Sequence, residues 1–331
     1  MELTQLKNIF ESFNQMNVLI IGDVMIDGYV WGKVDRISPE APVPILSVAK
    51  KEDRLGGAAN VALNIQSMGA NPILCSVIGD DENGKKFIAL LNDLKISAEG
   101  ILQSKDRITT LKTRVIKDHQ HLLRIDEEID QPLNLQEENN FIENVKNIIA
   151  AHKIDVIIFQ DYDKGVLTNH NIEKLISMAQ NAGIKTVVDP KKRNFLTYKN
   201  VGLFKPNLKE LKDGLKIEFN HLSDDQLVAA SKELKNKINA NAVLITLSEH
   251  GVFLMDSENN YKIPAHIRNI SDVSGAGDTV ISVAALCYAG AMPNEKIAAI
   301  ANLAGGLVCE KVGVVPINKS ALLSEAAALK N

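Results

Sequence analysis

The run Asp272-Val273-Ser274-Gly275-Ala276-Gly277-Asp278-Thr279 holds the residues best suited to chemistry in this 331-residue chain. It opens an apolar, Ala-rich stretch that reads as a helix, so its small residues stand at a helix N-terminus. There the first backbone N–H groups lack partners within the helix and the helix dipole is positive, which favours an anion such as a phosphate. No Gly-Lys-Ser/Thr follows, so the run is not a Walker A loop. Asp278 is unexpected beside an anion, because a carboxylate repels phosphate. Two readings account for it: a general base that takes a proton from an attacking hydroxyl, or a residue that caps the first helical turn.

A second small-residue cluster, Gly56-Gly57-Ala58-Ala59-Asn60, also opens a helix. It reads either as a place where backbone approaches a ligand, with Asn60 bonding a hydroxyl, or as a tight turn before a packed helix. Further polar residues follow predicted strands: Asp23 and Asp27, Gly79 and Asp80, Asp161, Asp163 and Lys164, Asp189 and Lys191, Asn207 and Glu210, Ser248 and Gly251. In an open α/β sheet ligands bind beyond the carboxyl ends of the strands, so this series predicts a substrate rim.

The elements that would carry these residues are legible as apolar runs. VLII, VIIF and VLIT are continuous rather than alternating, as expected for strands buried on both faces. Strands are predicted at Val18–Gly22, Pro72–Ile78, Val156–Gln160, Thr186–Asp189, Leu203–Lys205 and Ala242–Thr246. Helices are predicted at Ala58–Met68, Gly84–Leu94, Gln136–His152, Asn169–Ala182, Asp224–Asn239, Asp278–Gly290 and Asn294–Lys311, the last with Asn294 as N-cap. Their alternation predicts an α/β, doubly wound, mostly parallel sheet. Residues 28–52 and 109–126 break the alternation; the second reads as a hairpin turning near Asp118–Gln120. The two segments are expected to form a small β lid beside the sheet, or else to be its edge strands. The whole chain, 1–331, reads as one domain with this lid.

Composition excludes several function classes. With 37 Lys and Arg against 41 Asp and Glu, the net charge of −4 offers no general attraction for nucleic acid or an anionic membrane. Aromatic residues at 5% are too few for base-stacking surfaces. Cys75, Cys287 and Cys309 are odd in number and far apart, so neither a disulfide framework nor a CxxC metal site is expected. The N-terminus lacks an apolar signal core and no run is long enough to span a membrane, which predicts a cytoplasmic protein.

GGAANVALN followed by DVSGAGDT, in this order and on this α/β pattern, resembles the two signatures of the ribokinase-like (PfkB) carbohydrate kinases. Lys205-Pro206-Asn207-Leu208-Lys209-Glu210 resembles the family's Asn-x-x-Glu motif near magnesium and phosphates, and Thr246 to Gly251 its nucleotide-binding turn. A narrower similarity, to the heptose 7-phosphate kinases of ADP-heptose synthesis, rests on Arg36-Ile37-Ser38-Pro39-Glu40-Ala41-Pro42-Val43-Pro44. Gly22 to Asp27, Arg54 to Ala62, Asp161 to Gly165 and Val188 to Lys191 support it. Asp163 and Leu55 depart from the commonest pattern there, and Ser274 stands where many relatives have Thr.

The resemblance implies a kinase that uses ATP and Mg²⁺ to phosphorylate O1 of D-glycero-D-manno-heptose 7-phosphate. It assigns Asp278 as base, with the amides of Gly275, Ala276 and Gly277 around the transferred group. Asn207 and Glu210 would order Mg²⁺ through water, and Thr246, Ser248, Gly251 and Asn302 would line the nucleotide site. Asp27, Gly57, Asn60, Asp161 and Asp189 would meet the sugar, and Lys164, Lys191 and Arg36 its 7-phosphate. Arg114 and Arg124 would belong to the closing lid. A monovalent cation beside Asp272 and Ser274 and a homodimer joined through lids are further implications. Bifunctional relatives continue into a nucleotidyltransferase domain, so a chain ending at Asn331 implies a separate adenylyltransferase downstream. Alternatives are a kinase for another sugar or sugar phosphate, and a non-catalytic sugar-binding regulator.

Overall fold

In the computed structural model, residues 2–117, 120–219, 223–266 and 268–328 are described. Of the turn expected near Asp118–Gln120, Asp118 and His119 lie outside them. The strands are β1 (Asn17–Gly22), β2 (Val24–Ile37), β3 (Pro44–Gly57), β4 (Asn71–Gly79), β5 (Ile101–Ser104), β6 (Leu111–Lys117), β7 (Gln120–Glu127), β8 (Val156–Gln160), β9 (Lys185–Asp189), β10 (Leu203–Phe204), β11 (Ala242–Thr246), β12 (Val252–Met255) and β13 (Asn260–Ile263). The helices are α1 (Leu3–Ser12), α2 (Ala58–Ser67), α3 (Glu82–Asp93), α4 (Leu135–Ala151), α5 (Asn169–Asn181), α6 (Leu208–Leu215), α7 (Asp224–Ile238), α8 (Ala276–Ala289), α9 (Asn294–Cys309) and α10 (Lys319–Ala328).

Among the described residues nine strands form the main sheet, in the order β13-β12-β11-β10-β9-β8-β1-β4-β5. From β11 to β5 every neighbour is parallel, and β12 and β13 add an antiparallel hairpin at one edge. The apolar runs explain why both faces are covered. Val18 and Ile20 of β1 enter one core, shared with α2, α8 and α9, while Leu19 and Ile21 enter the other, shared with α4, α5 and α7. β8 divides in the same way, with Val156 and Ile158 on one side and Ile157 and Phe159 on the other. Strand alternation thus sends each run into two separate cores.

The smaller sheet is separate, in the order β3-β2-β6-β7, so the edge-strand alternative fails. Its first two strands reach beyond residues 28–52: β2 begins at Val24, directly after β1, and β3 ends at Gly57, where α2 begins. Asn294 is not an N-cap. Pro293 takes that position, and the Asn294 side chain donates to Asp256 Oδ2 at 2.8 Å. The reading of strands and helices left out α1, α6, α10, β5 and the β12–β13 hairpin.

Candidate active site

Gly275 is the N-cap of α8 and has φ 78°, in the left-handed region. Any Cβ there would be strained and would also stand 2.9 Å from the Asn60 amide nitrogen. The N–H of Ser274 donates to Asp272 Oδ1 and that of Ala276 to Val273 O. No hydrogen bond among the described residues takes up the N–H groups of Gly275, Gly277 and Asp278. The expected trio of amides therefore divides. Ala276 is already engaged, and the amide of Asp278 takes its place as a free donor.

Asp278 sits in the first turn of α8 and is almost wholly buried. Its Oδ2 accepts from Asn60 Nδ2 at 2.7 Å; its Oδ1 accepts from the Tyr162 hydroxyl at 2.6 Å and from Gln160 Nε2 at 3.3 Å. Burial pushes its carboxyl up to about 6; the bonds from Tyr162 and Asn60 pull it down and Asp189 adds to the rise. Such a carboxylate is ionised at neutral pH yet basic enough to take a hydroxyl proton, a property that a plain helix cap does not need. Asn60 is placed by α2, whose Ala58 and Ala59 are buried and let the helix pack on α8. One turn on, Asn64 donates to Asn60 O and accepts from the Thr279 hydroxyl, joining the two small-residue clusters.

A cleft of about 530 Å³ opens onto this carboxylate. Of the expected residues, Asp278, Gly275, Ala276, Gly277, Asp189, Lys191, Asn207, Glu210, Thr246, Ser248, Gly251 and Asn302 line it. Three strands deliver most of them: β9 carries Asp189, β10 leads to Lys205 and Asn207, and β11 ends at Thr246. Asn207 caps α6 and forms a capping box with Glu210, each side chain accepting the other's backbone N–H at 2.8 Å. The Asn-x-x-Glu spacing therefore has a local structural use in addition to its place on the cleft. Glu210 also bonds Lys191, whose ammonium lies 5.5 Å from the centre of the Tyr162 ring. Burial alone would lower Lys191, but Asp189 and Glu210 outweigh it and push it up, so it stays charged. Asn302 donates to Pro264 O at 2.8 Å and so pins the loop after β13. Gly251 has φ 87°, and a Cβ there would meet Ile263 O at 2.0 Å, so the turn itself demands glycine.

Sequence reasoning missed Lys205, Tyr162 and Gln160. Lys205 pairs with Asp189 at 3.1 Å with both side chains buried, and it lines the cleft. A Cβ on Gly277 would find only the Lys205 ammonium, at 3.9 Å. The ammonium therefore borders the open space beside Gly277. Lys205 opened the Asn-x-x-Glu motif and Tyr162 followed Asp161, so a clue to both was in the sequence.

Other expected residues lie elsewhere. Asp161 is fully buried and turned away from the cleft, accepting from the Tyr198 hydroxyl, Asn194 and the Asp163 N–H. Gly57 has φ 60°, and a Cβ there would strike Asp23 O at 2.5 Å, so the turn into α2 demands glycine. Lys164 bonds Glu128 at 2.8 Å outside the cleft, and Arg36 is exposed near the outer end of β2. Asp27 is a buried residue of the smaller sheet, paired with Arg114. Arg124 pairs with Asp126 on the same strand. Both oxygens of Asp272 accept backbone amides, from Ser274 and Gly313. Burial pushes Asp272 up, but these amides outweigh it and hold it below the usual carboxylate range.

Among the described residues no group of three His, Cys, Asp or Glu side chains could hold a metal by itself. The cleft still suits a cation bound through water and phosphate oxygens. Asp189 Oδ1 is buried without a hydrogen-bond partner, and Glu210 lines the same cleft. Mg²⁺ sheds water reluctantly and takes few protein ligands at phosphate sites, which fits this donor set.

A buried carboxylate at a helix N-terminus, beside a cleft that Lys191 and Lys205 also line and on a sheet covered on both faces, fits a phosphotransferase of ribokinase-like fold. Residues 15–320 match the family described as pfkB family carbohydrate kinase. The chain belongs to that family. It is 38% identical over 298 residues to the Bifunctional protein HldE of Campylobacter fetus, covering 90% of this chain and 64% of the relative. It is 39% identical over 296 residues to the same-named protein of Helicobacter pylori, covering 89% and 63%. The chain thus spans less than two thirds of these relatives' length. Phosphofructokinase-2 from Escherichia coli in complex with potassium has a similar fold, with a TM-score of 0.79 at 21% identity over 95% of this chain and 98% of that one. Ribokinase of Arabidopsis thaliana complexed with ribose and ATP gives a TM-score of 0.72 at 15% identity, over 95% and 99%. No helix among the described residues is long and apolar enough to cross a membrane.

Proposed function

We propose that this chain transfers the γ-phosphoryl group of ATP to O1 of D-glycero-D-manno-heptose 7-phosphate. The observation that carries phosphoryl transfer is the ionisable Asp278 beside free amides and the Lys205 ammonium. The sugar rests on the similarity of Arg36–Pro44 and the neighbouring runs to heptose 7-phosphate kinases. Asp278 takes the proton of the acceptor hydroxyl as its oxygen attacks phosphorus. The amides of Gly275, Gly277 and Asp278, with Lys205, stabilise the charge on the transferred group. Mg²⁺, when bound, neutralises the phosphate oxygens, and Asn207 and Glu210 stand where its waters would be held. Thr246, Ser248 and Asn302 border the nucleotide. Asn60 holds the base. Asp27 and Arg114 belong to the smaller sheet, which acts as a lid that excludes water. Exposed Ile37, Val48 and Leu123 give this sheet an apolar face, which supports a homodimer joined there.

A second reading, a kinase for another sugar phosphate, is favoured by one observation: Lys164 and Arg36, expected at the 7-phosphate, are not gathered at the cleft. The deciding experiment measures ADP formation from Mg·ATP with a panel of sugars and sugar phosphates, including both heptose 7-phosphate anomers. Heptose 7-phosphate is expected to give the highest kcat/KM. Turnover with fructose or ribose phosphates, and none with heptose 7-phosphate, rejects the heptose assignment and keeps the kinase.

The cradle has its own test. Since a methyl group on Gly277 meets no protein atom closer than 3.9 Å, Gly277→Ala should fold and melt at least as high as the parent. The methyl would stand where the transferred group passes, so kcat should drop about tenfold or more. Unchanged turnover would remove Gly277 from the cradle.

A further inference from the structure

We infer that Tyr162 is a positioning residue: its hydroxyl fills one oxygen of Asp278 and leaves the other to receive the acceptor proton. The inference rests on the base reading of Asp278 given above. Oδ1 accepts two hydrogen bonds, from the Tyr162 hydroxyl at 2.6 Å and from Gln160 Nε2 at 3.3 Å. Oδ2 accepts one, from Asn60 at 2.7 Å. A carboxylate oxygen accepts about two such bonds. Oδ1 is full and Oδ2 keeps one lone pair open.

Tyr162 is pinned at both ends. Its backbone N–H donates to the buried Asp23 carboxylate at 2.8 Å, and the Lys191 ammonium lies over its ring. Burial, reinforced by Asp278, pushes the phenol well above its usual range, so it remains a donor at any working pH. A donor to the ionised form favours that form. Tyr162 therefore opposes the burial that raises Asp278. The other groups acting on this carboxylate come from four elements: Asn60 of α2, Gln160 at the end of β8, Asp189 at the end of β9, and Lys205 after β10. Asp27 of β2 and Lys191 act on Tyr162 itself.

The proton balance is simple. The acceptor O–H bond breaks and its proton goes to Oδ2. The oxygen's electron pair forms the new bond to γ-phosphorus, and the bond from phosphorus to the ADP oxygen breaks, with its pair leaving on ADP. The Tyr162 proton stays on the phenol throughout.

The test is the pH dependence of kcat/KM for the sugar at saturating Mg·ATP. The parent enzyme should lose activity as pH falls through about 6, because Asp278 becomes protonated. Tyr162→Phe removes a donor to the charged form, so the acid limb should move up by about one pH unit. The rates of the two enzymes should converge near pH 9. Site-specific 3-fluorotyrosine at position 162 is a stronger donor and should move the limb down; it serves equally if the Phe variant does not fold. A limb unmoved by both replacements, or a rate loss equal at every pH, overturns the inference. A parent with no acid limb overturns the base reading beneath it instead.

Discussion

Asp278→Asn should lower kcat by about 10²- to 10⁴-fold, the range lost with a positioned general base. The argument is geometric. The carboxylate lines the cleft in the first turn of α8, beside Gly275 and Gly277, which line it too. Asparagine keeps the size but cannot take the proton. Nucleotide affinity should hold or rise, because the substitution removes a negative charge that repels phosphate. Asparagine offers one oxygen where Asn60 and Tyr162 each use a different one, so one of these donors must turn. The melting temperature should therefore be recorded beside kcat and the nucleotide Kd. A variant that folds, binds nucleotide and turns over near the parent rate would show that Asp278 is a cap and nothing more.

Lys205→Met should damage both stability and turnover. Lys205 and Asp189 are paired with side chains only 3% and 5% exposed. Removing one partner of a buried pair typically costs about 3–5 kcal/mol, since the other charge stays buried. For a chain of this size that is a fall in Tm of roughly 10 °C. Turnover should fall about 10²- to 10³-fold, the effect of losing one donor to the transition-state charge. Losing this cation also removes a pull that lowers Asp278, so the base becomes harder to ionise. The double variant Lys205→Met, Asp189→Leu separates the two effects. It should recover most of the melting temperature and none of the turnover. Recovery of both would show that the ammonium only neutralises Asp189.

The core strands and both small-residue clusters were legible in the sequence because their signals are local. A continuous apolar run has no polar face to offer water, so it must be a strand covered on both sides, and β8 and β11 begin and end at the expected residues. Gly275 before Asp278 marks a helix start wherever the helix lies. The first two strands of the smaller sheet were read at their middle and missed at their ends, since only Asp23 separates β1 from β2 and Gly57 leads straight into α2.

What faces the cleft was decided by tertiary structure. Asp161 and Asp189 look alike in the sequence, each closing an apolar run. In the parallel register Gln160 lies opposite Asp189, and its side-chain amide bridges Asp189 and Asp278. Asp161 is one residue further on and points to the opposite side, toward Tyr198 and Asn194. One step along a strand reverses a side chain, and only the register says which residue is in step. The lysines divide for a similar reason. Lys191 and Lys205 meet the cleft because β9 and β10 are neighbours, while Lys164 is drawn to Glu128. The sequence by itself determined that a carboxylate at a helix start and a rim of polar residues after the strands exist. Which of those residues meet was determined by strand order and register, because the contact between Asn60 and Asp278 joins positions 218 residues apart.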